Sequence, residues 1–255
     1  MIKGLELFKD FFKDYKDQYT LIGGAACDIV FSESDLSFRA TKDIDMVLIV
    51  EALTPEFGKR FWGFIKDGGY ENRAKSNGVP QYYRFDKPKS PDYPFMIELF
   101  ARAESVFDEE MYNCRPLYLG EEISSLSAIL LNSDYYNLLL TGKTILSDVP
   151  VLPNIYLVLF KAKAWLDMTE RRAAGQRIDE RDIRKHKNDV ARLVALLTGS
   201  EVLALPESVR ADMKQFIEEF EKEPPDMKSL GITGVNGTDI SDMLKIIFMG
   251  GSLPE

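Results

Sequence analysis

The run Asp43-Ile44-Asp45-Met46-Val47-Leu48-Ile49-Val50 constrains this chain more than any other stretch. Its branched apolar residues predict a strand over 43–50, and the continuous Met46–Val50 segment suits a buried one. Side chains at i and i+2 of a strand face the same way, so Asp43 and Asp45 project together. Two such carboxylates repel each other unless a cation lies between them. Hard divalent ions such as Mg²⁺ take oxygen ligands and keep waters or substrate phosphates in their remaining positions. The pair therefore reads as a candidate metal site at the end of a core strand. A solvated strand start accounts for the tripeptide equally well.

The surroundings of that strand are α/β in character. Leu5, Phe8, Phe12 and Tyr15 recur at helical spacing and predict a helix over 4–18. A short strand follows at 19–22, then Gly23-Gly24, then a helix over 25–31. Thr54-Pro55 places a capping hydroxyl before a proline, which predicts a helix start, and Asp67-Gly68-Gly69 stops it. Residues 71–80 read as loop, 81–85 and 95–101 as strands, and 126–131 as a further strand. Beyond about residue 150 the pattern turns helical, with helices expected at 155–168, 181–197, 206–220 and 239–248. The expected organisation is an α/β part over 1–150 and a helical part over 151–255.

Composition removes several classes of function. The 255 residues carry a net charge of −9, which disfavours a protein that coats nucleic acid by bulk charge. Charge is uneven, however. Residues 161–192 hold ten Lys/Arg against six Asp/Glu, whereas 201–255 hold five against eleven. A basic stretch in an acidic chain suggests a local anion site. With two cysteines, Cys27 and Cys114, and one histidine, His186, a structural zinc site or a disulfide scaffold is not expected. His186 sits in a charged run and reads as a solvated helix residue. No apolar stretch suits a transmembrane helix or a signal peptide, so no membrane partner and a cytoplasmic location are expected.

Three further features bear on chemistry. Gly23-Gly24, between a strand and a helix, lets backbone N–H groups approach a phosphate, although a plain tight turn uses the same residues. Glu98 lies inside the apolar strand Phe95-Met96-Ile97-Glu98-Leu99-Phe100, where a carboxylate needs a partner or water. If that strand lies beside the Asp43 strand, Glu98 completes a three-carboxylate site. Arg181, Lys185 and Asp189 follow one another at helical spacing, with Ile183, Val190, Val194 and Leu197 as the apolar stripe. Lys161 and Lys163 sit in an apolar helix and need a partner or a route to water. Two motifs are set aside. Thr141-Gly142-Lys143-Thr144 has Asn137 where a P-loop needs glycine, and Gly231, Gly234 and Gly237 lack the dinucleotide spacing.

A glycine pair, then Arg39-x-Thr41-x-Asp43-x-Asp45 on a strand, then a lone carboxylate on a later strand, resembles the DNA polymerase beta type nucleotidyltransferase superfamily. Lys161-Ala162-Lys163-Ala164-Trp165-Leu166-Asp167 and Arg181-x-x-x-Lys185-x-x-x-Asp189 resemble the AbiEii-type nucleotidyltransferases, toxins of toxin–antitoxin systems. The resemblance implies an α+β fold, a mixed sheet flanked by helices, with the helical part completing the active-site cleft. It implies two Mg²⁺ ions held by Asp43, Asp45 and Glu98, and a nucleoside triphosphate substrate. Gly23 and Gly24 would cradle phosphate, with Arg39 and Thr41 preceding the acidic pair. Lys161, or its rival Lys163, would contact phosphates. Arg181 and Lys185 would bind the nucleotide, and Asp189 would support the site. The implied acceptor is RNA (tRNA in characterised relatives), and an antitoxin is an implied partner. Two alternatives stand beside it: transfer to a small-molecule or protein hydroxyl, and a non-catalytic nucleotide-binding or antitoxin-interacting module. Ala25 and Glu98 depart from the superfamily pattern, which more often has Ser or Thr and Asp there.

Overall fold

The computed structural model describes residues 2–74, 80–101, 129–130 and 132–250, with the backbone alone at 72–74 and 80–83. It divides into two compact units. One comprises Met1–Leu130 with Leu140–Pro153, and the other Leu131–Leu139 with Asn154–Glu255.

The first unit is α+β. Its elements run α1 (Leu5–Phe12), β1 (Tyr19–Ile22), α2 (Gly23–Ser32), β2 (Asp43–Leu48), α3 (Pro55–Gly68), β3 (Glu71–Ala74), β4 (Pro80–Asp86) and β5 (Met96–Phe100). Beyond α4 (Ser133–Gly142) come β6 (Thr144–Leu146) and β7 (Val149–Val151). The strands form one sheet in the order β3-β4-β5-β2-β1-β7-β6. It is mixed: β2 runs parallel to β5 and β1 parallel to β7, and the other neighbours pair antiparallel. Strand β2 lies in the middle, and Ile44, Met46, Val47 and Leu48 are buried as their run predicts.

Local chemistry explains the element ends. Thr54 accepts a hydrogen bond from the Phe57 N–H at the start of α3, with Pro55 at the first helical position. Gly69, at φ +62°, closes that helix in the left-handed conformation. Phe8 and Phe12 of α1 and Phe57, Phe61 and Phe64 of α3 are fully buried, and the Phe12 ring lies 5.4 Å from that of Phe64. Such ring pairs add to plain apolar burial.

Two expectations are corrected here. Residues 71–74 form strand β3, and Pro80 opens β4, so the described residues of the stretch read as loop are strand; residues 75–79 lie outside the described ones. Residues 129 and 130, read as part of a strand, are helical, and the rest of 126–131 lies outside the described residues.

The second unit is helical, built from the first part of α4 with α5 (Asn154–Ala173), α6 (Glu180–Val194), α7 (Glu207–Lys222) and α8 (Gly237–Met249). The stripe Ile183, Val190, Val194 and Leu197 is buried as expected. Asp179 caps α6 by accepting from the Arg181 N–H, and Asn236 with Asp239 forms a reciprocal capping box on α8. No described helix is long and apolar enough to cross a membrane.

Candidate active site: a carboxylate row across the sheet

The site of the first unit follows from strand register. Parallel pairing of β2 with β5 sets Asp43 opposite Met96 and Asp45 opposite Glu98. Register partners in adjacent strands point to the same face, so Asp43, Asp45 and Glu98 share one side of the sheet. Burial agrees: Asp43, Asp45 and Glu98 are half-buried, while Ile44 and Ile97 between them are fully buried. Antiparallel pairing of β5 with β4 then sets Arg84 opposite Glu98. A charged row thus crosses three strands as Arg84, Glu98, Asp45.

The Glu98 carboxylate forms an ion pair with Arg84, accepting from its Nε and lying against its terminal nitrogen. No three His, Cys, Asp or Glu side chains among the described residues are gathered as a metal-binding group. Register therefore brings the three acidic positions to one face, but their side chains do not converge. As a donor set, three hard carboxylates suit a divalent ion such as Mg²⁺ or Mn²⁺.

The glycine pair is explained by what surrounds it. Gly23 begins α2 at φ +66°, where an added Cβ would lie 1.8 Å from the Asp45 Oδ2. A Cβ at Gly24 would lie 2.5 Å from the Thr41 Oγ1. Asp45 and Thr41 thus approach the backbone so closely that a Cβ at either glycine would displace them. The first turn of α2 carries no acidic residue, and Ile22 provides no side-chain cap. The Gly24 N–H donates instead to the Asp45 Oδ2 at 3.4 Å. The anion found at this helix N-terminus is thus a carboxylate of the chain itself, held where the partial positive charge favours it.

The Arg39 guanidinium lies over the Phe38 ring at 5.0 Å, and the Lys42 ammonium over the half-exposed Phe95 ring at 5.7 Å. Neither Lys42 nor Arg84 stood out in the sequence. Arg84 is one polar residue of a strand, and only the β4–β5 register, which periodicity does not fix, sets it against Glu98.

The second unit joins other predicted residues. Lys161 of α5 is buried and donates to the Asp189 Oδ2 of α6 at 3.0 Å. Asp189 is fully buried and also lies 3.7 Å from Arg192. Lys163 pairs with Asp212 at 2.8 Å, and Asp212 accepts from the Tyr135 hydroxyl at 3.0 Å. Burial and the neighbouring Asp212 both push the Tyr135 phenol well above its ordinary range. Both lysines therefore have the partner that their apolar setting requires. Arg181 and Lys185 are exposed, so the helical row ends in a buried acid after two exposed cations. His186 is half-buried, which corrects its reading as a solvated residue.

This arrangement, an acidic row on the central strands of a mixed sheet in an α+β unit, defines the class of fold and site. No family model matches the chain, and no curated protein matches it. Among solved structures the chain is similar to an antigenic nucleotidyltransferase-like protein from Paracoccidioides brasiliensis. The identity is 16%, with 90% of this chain and 93% of that chain covered, at a TM-score of 0.42.

Proposed function

We propose that the chain is a metal-dependent nucleotidyltransferase that moves a nucleoside monophosphate from a nucleoside triphosphate to an acceptor hydroxyl. The observation that supports this reading is the register that makes Asp45 and Glu98 neighbours, with Asp43 on the same face. A sheet surface built only for stability does not favour like charges side by side.

Asp43, Asp45 and Glu98 would hold two Mg²⁺ ions, whose chemistry is to neutralise charge on the attacking and leaving oxygens. The chain's own cations supply the rest of the charge balance. Arg39 and Arg84 are the residues for phosphate contact, since guanidinium groups stabilise phosphoryl charge. The reaction is attack of the acceptor hydroxyl on the α-phosphate with departure of pyrophosphate. Positioning and charge neutralisation account for most of the rate in such transfers.

The proposed acceptor is RNA, with an AbiEii-like toxin role and an antitoxin partner, on the strength of the Lys161–Asp167 and Arg181–Asp189 motifs. The Arg84–Glu98 ion pair favours a second reading, a nucleotide-binding module without turnover, because it engages the third carboxylate. Incubation with α-labelled nucleoside triphosphates, Mg²⁺ and total RNA separates the readings. Label in the RNA fraction is the expected result, and it should fall steeply with salt. Label in a small molecule or in protein redirects the acceptor. Bound but unconsumed triphosphate favours the module.

A further inference from the structure

The order of strands gives Glu98 two possible partners. Strand β5 lies between β4 and β2, so Arg84 flanks Glu98 on one side and Asp45 on the other. Repulsion from the Asp45 carboxylate and attraction to the guanidinium act in the same direction, toward β4. The Glu98 carboxylate is found there, on Arg84.

We infer that Arg84 is the counter-ion that Glu98 exchanges for a divalent cation, which makes Arg84 a positioning residue for the site. The inference rests on the metal-dependent reading above. With a divalent cation held by Asp43, Asp45 and Glu98, the balance of charge that Glu98 meets would reverse, and its carboxylate would turn from β4 toward β2. The ion pair suits such an exchange because its Arg84 side is 45% exposed. An exposed pair is held weakly and gives way to a divalent competitor. The Lys161–Asp189 pair, buried on both sides, does not offer this. The released guanidinium has the planar fork that pairs with phosphate oxygens.

The test is a titration of the full chain with Mn²⁺ alone, followed by the paramagnetic signal of the free ion. Arg84→Gln removes the competing cation and should bind Mn²⁺ about fivefold tighter or more. Adding Glu98→Gln should abolish that gain, and Arg84→Lys, which keeps the charge, should stay within about twofold of the unaltered chain. Circular dichroism checks the fold, and Arg84→Thr, a good strand former, repeats the test if glutamine disturbs it. Unchanged or weaker Mn²⁺ binding by both folded variants overturns the inference while leaving the metal-dependent reading standing. No Mn²⁺ binding by any of these chains, even with a nucleoside triphosphate present, overturns that reading and the inference with it.

Discussion

The row on the sheet and the pair between helices use the same groups to opposite ends. Arg84 and Glu98 form an ion pair whose side chains are 45% and 18% exposed, beside two further carboxylates. Lys161 and Asp189 form one that is 7% and 0% exposed, with Arg192 close by. The first lies within reach of water and ligands. The second is neutralised and dry, and separating it would strand a charge in an apolar interior. Accessibility decides whether an ion pair is a reagent or a fastener. By that criterion the proposed metal-holding residues are the ones on β2 and β5, while the buried Lys161–Asp189 pair joins α5 to α6.

Three single substitutions and one double change test this contrast, the single ones taken from the largest expected effect downward. Asp45→Asn should lower Mg²⁺-dependent transfer by about 10³-fold, on the scale of losing one charge-stabilising group from an active site. Its thermal midpoint should move by no more than a few degrees, because the side chain is half-buried on the rim. Undiminished pyrophosphate release would count against a catalytic role for the row. Asp189→Ala should destabilise the chain by about 3–5 kcal/mol in urea unfolding, since it leaves Lys161 buried without its partner. The double change Lys161→Met with Asp189→Leu should recover most of that loss. Lost transfer with stability intact would move the pair into the active site and dissolve the contrast. Gly23→Ala should cost about 1–3 kcal/mol for the left-handed backbone, and its Cβ should displace Asp45. A variant with wild-type stability and activity would show that the close approach of Asp45 is unimportant.

Much of the sheet could be read from residues alone. Strand 19–22 and the start of β2 at Asp43 stand as the pattern predicts, because buried central strands carry continuous apolar runs. The cap at Thr54 and the stop at Gly69 were equally plain, since each is local chemistry. Edge strands were harder. Strand β3 begins Glu71-Asn72-Arg73, and a polar run at a sheet edge has no alternation to reveal it. The hairpin of β6 and β7 has three residues per strand, too few for a period. Helix α4 is masked differently, because its last residues, Thr141 and Gly142, belong to the phosphate-loop-like run Thr141-Gly142-Lys143-Thr144. Within the site, the need of Lys161 and Lys163 for partners was legible, but Asp189 and Asp212 lie 28 and 49 residues away. The pairing of Arg84 with Glu98 depends on register, which pairs strands across space and leaves no mark at either position.

The central claim is that Asp43, Asp45 and Glu98 act together on a divalent cation. Crystals grown with Mn²⁺ and a non-hydrolysable nucleoside triphosphate test it most directly, through the anomalous signal of the metal. The account predicts manganese density touching Asp43 and Asp45, with Glu98 turned from Arg84 to join them. Density elsewhere, or triphosphate bound with no metal at these aspartates, would contradict it.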